Sequence, residues 1–581
     1  MNVQPFPLVH RCETIKLIRL SVCPRARIGA LAHVRQIAPS CDKLPPSCAL
    51  FRLVRKQAVS YNSVAESATS MLLGRGDPMR KRTLIWIFGF VLAWSAAASG
   101  QSTGDILGSG PSDEAVARVM VRGFPFDGNI AVSDADLISL LKPMIGHELT
   151  LTDLQMAALA VSLHYRELGY FLAEAILPPQ EIIDGIVAIH VFEGRYDEIV
   201  LRNESRLQDS VALSILSPLG YDAPIIFEPY ERATLLLSDL SGVEPRFSFA
   251  PGSRLGTANL EVILQDGPPV SGQLTIDVSG EGDSVIARPA TSVDFDNATG
   301  RGDSLKFTLS GDPSSRVVGA LYTLPRARGA TYTAQYSDAQ RSASIVNLKA
   351  RSWTQNFSVS ANYAVLRSTE ENQSVSISLD HNLSGSSLAN ASATEKRTKV
   401  SLGLQGDRSP QDDRSSHYSL LLTAGVAMPE GGSSWLYQKI NGSYTHTRRL
   451  GPQSQVSASL SAQLALTRLD VSERMTLGVR GYPSGGSGDS GWFGKLELRR
   501  LLNWPQWPGP WQVAGYVEGG EVQGFPQGSS PFFIQRYGVG LSLTWSLPGS
   551  STFQFDRAWP IGAEPGSERR GQMSLTYTVQ F

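Results

Sequence analysis

Few strings in this chain of 581 residues bring together side chains that do chemistry. Gly488-Asp489-Ser490-Gly491 mimics a serine-nucleophile box. No His stands in a matching context, and a nucleophile needs a base within hydrogen-bond reach, so it reads as a chance match in a loop. Gly300-Arg301-Gly302-Asp303-Ser304 mimics an integrin ligand and reads as a tight turn whose glycines supply positive φ. The six His after residue 100 are scattered with no i,i+4 pair, so no metal site is expected. No phosphate-cradling Gly loop follows a strand and opens a helix. All four Cys (Cys12, Cys23, Cys41 and Cys48) lie at the start of the chain, which excludes thiolate chemistry and disulfides from the rest. Two charged positions remain. Arg480 lies in Leu477-Gly478-Val479-Arg480-Gly481-Tyr482, and Glu518 in Tyr516-Val517-Glu518-Gly519-Gly520. A guanidinium in a confined polar space needs an acceptor, and a carboxylate receives it bidentately. Spacing alone favours reading Arg480 as a solvated loop residue and Glu518 as a lumen charge. No catalytic residue, cofactor or enzymatic activity is expected.

The elements that would position these residues follow from periodicity. From Gln273 onward apolar and polar residues alternate, as in Leu274-Thr275-Ile276-Asp277-Val278, Val456 to Leu466, Tyr537 to Trp545, and Met573 to Phe581. Repeated segments of about ten residues with apolar and polar faces are the mark of a transmembrane β-barrel. Sixteen strands are expected over 270–581, beginning near 273, 289, 303, 317, 331, 357, 374, 397, 418, 436, 455, 492, 511, 536, 552 and 570. An even count returns the C-terminus to the side where the barrel starts. Arg480 then falls in a long extracellular connection between strands eleven and twelve, Glu518 on the polar face of strand thirteen, and the 298–302 turn on the periplasmic side.

Composition agrees. Mean hydropathy of −0.10 is too polar for a membrane helix bundle, and a formal net charge of −1 advertises no nucleic acid. One segment could be a short apolar helix, and its flanks make it a leader. Met79-Arg80-Lys81-Arg82 is a cationic n-region, Leu84 to Leu92 the apolar core, and Ala96-Ala97-Ala98 a cleavage site. Residues 79–100 are therefore read as a signal peptide and 1–78 as upstream sequence from a start codon set too early. From residue 101 onward 38 Lys+Arg face 49 Asp+Glu, a mildly acidic exported chain.

Between leader and barrel, after a Gly/Ser-rich linker, two β-α-α-β-β patterns follow each other, 113–195 and 196–266. In the first, Ser133 reads as an N-cap, and Thr152 to Leu168 as a helix with Leu154, Ala158, Val161 and Tyr165 on one face. Two such units behind a leader resemble POTRA domains. Leu177-Pro178-Pro179-Gln180 and Val191-Phe192-Glu193-Gly194-Arg195 are similar to the first POTRA of two-partner secretion transporters, of the haemolysin secretion/activation type. Val479-Arg480-Gly481-Tyr482 resembles the conserved loop motif of that superfamily. The resemblance implies that the loop folds into the lumen and that its Arg pairs with an acid on an inner-wall aromatic-x-Asp-x-Gly motif. Here that wall motif is Tyr516, Glu518 and Gly520, with Glu one methylene longer than the usual Asp. An aromatic last residue, Phe581, is similar to the assembly signal read by barrel-assembly machinery.

The resemblance further implies an outer-membrane translocator. Its POTRA domains would capture an unfolded exoprotein, of large β-helical type, in the periplasm, and the barrel would secrete it. The alternatives are a barrel-assembly insertase of the same superfamily and a passive porin with periplasmic domains. Expected partners are the exoprotein, outer-membrane lipid and the assembly machinery. Some such transporters carry a lumenal plug helix; with only the short linker Gln101 to Ser112 before the first module, none is expected here.

Overall fold

The computed structural model describes residues 117–281, 284–345, 348–388, 391–411, 413–482, 486–504, 506–525, 532–562 and 571–581. The expected upstream extension, leader and linker lie outside the described residues.

The first module contains helices α1 (Asp134–Leu141) and α2 (Leu151–Glu167). Ser133 caps α1 by accepting the Asp136 N–H. Thr150 and Asp153 form a reciprocal capping box on α2, satisfying two backbone donors that helix geometry orphans. Asp153 is held below the ordinary carboxylate range, chiefly by the Thr150 backbone N–H and then by its hydroxyl. Leu154, Ala158, Val161 and Tyr165 are buried, as the helical spacing predicts, together with Ala157 and Ser162. The sheet is smaller than the alternation suggests. Its strands shrink to Phe126–Asp127, Glu174–Ile176 and Ile189–Phe192. An unpredicted strand, Glu148–Thr150, pairs with Arg118–Met120.

The second module has strands Arg195–Glu204, Val243–Pro251 and Thr257–Asp266, with helices α3 (Asp209–Leu216) and α4 (Phe227–Ser238). In both modules the last strand is central, parallel to the first and antiparallel to the second. Phe171 of the first module packs among Phe227, Tyr230 and Phe249 of the second. Burying that ring removes apolar area from water at about 25 cal/mol per Å², and so couples the two cores.

Residues 270–580 form a closed barrel of sixteen antiparallel strands. It closes where Gln572–Gln580 pairs with Val270–Glu281. In sequence order the strands after the first run Ser284–Asp296, Ser304–Asp312, Ser315–Pro325, Ala330–Ile345, Leu348–Arg367, Glu371–Leu388, Ala391–Gln411, Arg414–Pro429, Trp435–Arg449, Ser454–Ala465, Ser490–Leu502, Trp511–Gly524, Phe532–Leu547, Ser551–Ile561 and Gln572–Gln580. Phe357, Ile377, Leu402, Leu422 and Leu541 are roughly half exposed on the outer face. That is how an apolar lipid-facing band looks without its lipid. Strands six to eight have 20, 18 and 21 residues, about twice what a tilted membrane strand requires.

The second module sits on the rim formed by three turns. Gln208 N–H donates to Gly300 O at 2.8 Å and Ser241 N–H to Gly302 O at 3.2 Å. Arg232 Nη2 reaches Ala364 O at 2.6 Å and Arg328 O at 3.1 Å. Glu231 accepts the Thr369 N–H at 3.0 Å. Arg367 grips Asp239 bidentately, Nε–Oδ2 2.8 Å and Nη2–Oδ1 2.7 Å. The Gly300–Ser304 string thus ends as a docking turn. Asp303 is fully buried there, accepting from the Thr299 N–H at 3.0 Å.

Candidate functional site

The connection between strands eleven and twelve, 466–489, turns inward and is secured on opposite walls. On one side Leu469 is buried with Ala427, Tyr437 and Ala465. Asp470 pairs with Arg397 of strand eight. Glu473 lies between Lys399 at 2.9 Å and Lys439 at 2.8 Å. Gln463 donates to Glu473 O at 3.1 Å. Asp489, the acid of the protease-like string, is fully buried and fastens the loop base. It accepts the Leu469 N–H at 2.8 Å and the Phe525 N–H at 2.7 Å, and Arg474 stands 3.4 Å away.

On the other side the loop meets strands twelve to fifteen. Leu477, Val479 and Val522 form a buried apolar cluster with Phe493 and Ile534 packed against it. The Arg480 N–H donates to Glu518 Oε1 at 2.5 Å, and its Nη2 reaches Glu518 Oε2 at 3.3 Å. Its Nη1 reaches Asp556 Oδ1 at 3.3 Å, and its guanidinium stacks on the Tyr516 ring at 3.6 Å. Cation–π stacking leaves the in-plane donors free for carboxylates. The Glu518 side chain is 2% exposed and Arg480 34%, so the acid is sealed by the cation above it. Gly481 takes a φ of +99°, a conformation open to Gly and poorly tolerated by other residues. Tyr482 donates to Ile561 O at 3.1 Å, and Arg536 stacks over its ring at 4.9 Å.

Small residues let the loop approach. A Cβ on Gly520 would strike Trp492 O and come within 2.9 Å of Leu477 Cδ2; one on Gly538 would lie 2.9 Å from Arg480 O. Phe581 lies at the seam. Its N–H and the Gly272 N–H exchange backbone hydrogen bonds at 3.0 and 2.8 Å, and its ring covers Gly272.

Thus Val479, Arg480, Gly481 and Tyr482 come together with Tyr516, Glu518 and Gly520, while Phe581 sits apart. Sequence reasoning missed Asp556, Gly538 and the acids Asp470 and Glu473. A signal existed for the apolar seat: Phe493, Val522 and Ile534 occupy the parity that is otherwise polar. Arg499, outside the motif, shares the inward face with Glu497 and pairs with it.

Residues 119–194 match the POTRA domain of ShlB type, and residues 256–543 match the haemolysin secretion/activation protein family ShlB/FhaC/HecB. The heme/hemopexin transporter protein HuxB of Haemophilus influenzae is 26% identical over 399 residues, 64% of this chain and 70% of HuxB. The outer membrane transporter CdiB of Escherichia coli is 25% identical over 236 residues, 38% of each chain. A solved structure of CdiB from Escherichia coli superposes with a TM-score of 0.64 at 19% identity, covering 88% of this chain and all of that one, which shows a shared fold.

Proposed function

Because this chain belongs to the haemolysin secretion/activation proteins of the ShlB/FhaC/HecB type, we propose that it is the outer-membrane transporter of a two-partner secretion system. The α/β modules, 113–195 and 196–266, capture an unfolded exoprotein of large β-helical type in the periplasm. The exported chain passes through the lumen of the 270–581 barrel and folds outside. Folding outside supplies the direction, so no nucleotide is required. The loop carrying Val479, Arg480, Gly481 and Tyr482 governs passage, held by Tyr516, Glu518 and Gly520. Phe581 is read by the barrel-assembly machinery during insertion.

The observation that carries this reading is the loop across the lumen. The loop is fastened at two walls, with a buried Glu518 at one and a buried Glu473 at the other, which suits a lumen that is closed and then yielded. A transporter must close its lumen when idle and yield it to a chain. Deleting 113–266 and assaying secretion of the exoprotein tests the assignment. The barrel should insert and remain heat-modifiable while secretion is lost; undiminished secretion would refute the role given to the modules.

A further inference from the structure

Beyond the apolar band, on the rim away from the α/β modules, the outer face of strands four to eight turns basic. Register fixes the faces. Ala320, Tyr336 and Phe357 are cross-strand neighbours, and Tyr336 and Phe357 are exposed on the lipid side. Counting in twos from them, Arg316 follows Val318 on strand four, and Arg351 and Lys349 follow Trp353 on strand six. By the same register Lys396 follows Thr398 on strand eight. All four cations are exposed. Arg316, Gln340 and Trp353 are cross-strand neighbours, and with Arg351 they line one groove.

Among the described residues none of these four cations has an ion-pair or hydrogen-bond partner. The nearby acid on the same face, Asp338, is occupied by Gln340 Nε2 at 3.2 Å and Gln355 Nε2 at 3.1 Å. The lumen shows the opposite pattern: Arg288, Lys306, Lys399, Lys439 and Arg480 each have a carboxylate within 3.3 Å. These four cations are thus left bare on the outer face, at the depth where lipid headgroups begin, while those five in the lumen are neutralised. Trp353 marks that depth, since Trp prefers the membrane interface.

We propose that Arg316, Lys349, Arg351 and Lys396 bind the phosphates of an outer-leaflet glycolipid, seated in the groove beside Trp353. Phosphate suits a guanidinium fork, and basic groups beside an anionic headgroup layer act additively. The site lies on the lipid side of the wall, so its occupancy is independent of the secretion function.

The test uses the full chain in nanodiscs titrated with diphosphorylated lipid A, with bound lipid counted by native mass spectrometry. Each cation removed should weaken binding roughly fivefold. The variant Arg316→Gln/Lys349→Gln/Arg351→Gln/Lys396→Gln should lose several hundredfold while still migrating as a heat-modifiable barrel. Arg448→Gln, an outward cation on the opposite rim, should bind as the parent does. Dephosphorylated lipid A should bind the parent no better than the quadruple variant binds lipid A. Parent-like affinity in the quadruple variant would overturn the proposal. So would complete displacement by an equal concentration of inorganic phosphate, which would mark an isolated phosphate site. Unchanged lipid A binding with lost secretion would assign the groove to an acidic stretch of the exported chain instead.

Discussion

Arg480 does three things with one side chain: it seals Glu518, reaches Asp556 and stacks on Tyr516. Lys offers a point charge and no planar fork, so Arg480→Lys should impair secretion nearly as much as Arg480→Ala. Removing the cation leaves Glu518 buried without a counter-ion, which costs about 3 kcal/mol, the lower end for a broken buried pair, because Arg480 is partly screened by water. Glu518→Ala should match Arg480→Ala, and the double variant should be little worse than either, the mark of coupling. Secretion assays at matched membrane levels decide it; strictly additive losses would return Arg480 to a solvated loop. A neutral control should come from the outer face, because Arg499 is itself bonded in the lumen. The pairing of Arg480 with an acid was legible only through the resemblance. Asp556 was not legible, since one inward carboxylate on strand fifteen looks like any lumen charge until the loop is seen to reach it.

Elements were legible in proportion to their patterning. All sixteen strands lie where alternation predicts them, because one face meets lipid along their length. Their upper ends were not: strands six and eight begin at Leu348 and Ala391, earlier than expected, because Ala391-Ser392-Ala393-Thr394 lies beyond the apolar band and loses the period. The strand Glu148–Thr150 was hidden for another reason, being three residues long and ending in a helix cap. That cap is testable. Thr150→Ala should destabilise α2 by about 1 kcal/mol, read as lost amide-exchange protection in the full chain. Asp153 titrates lower in the folded protein than its ordinary value of 3.8. Its contribution is therefore fully present above that value and disappears as pH falls through the lower folded value. Asp153→Asn should weaken α2 at pH 7 and converge with the parent in strong acid. At the rim, Asp239→Arg places two cations together; adding Arg367→Asp should restore much of the exchange protection of the 297–303 and 327–329 turns. Failure to restore would show that the Arg367 grip is incidental to docking.

At the scale of the whole molecule, leader, modules and barrel were expected in that order, and the described part has two α/β modules followed by a closed barrel. What composition could not tell is that the second module is fixed to one sector of the rim, beneath strands two to seven. Those contacts join groups far apart in sequence, such as Asp239 with Arg367 and Glu231 with Thr369, and no local pattern announces them. Entry for an exported chain is therefore sought under the remaining strands.

The loop fastened to both walls has an electrical consequence. A strut spanning an aperture divides it, so ions should cross this barrel through two narrow side channels and not one wide bore. In planar bilayers the parent should show small, quiet unitary currents. Freeing one end with Arg397→Ala/Lys399→Ala should raise the current and make it flicker as the strut swings on its Arg480 anchorage. Freeing the other end with Arg480→Ala should do likewise with a different flicker rate. Freeing both should give a large steady conductance, and unitary currents identical in all four proteins would mean that the strut does not limit the aperture.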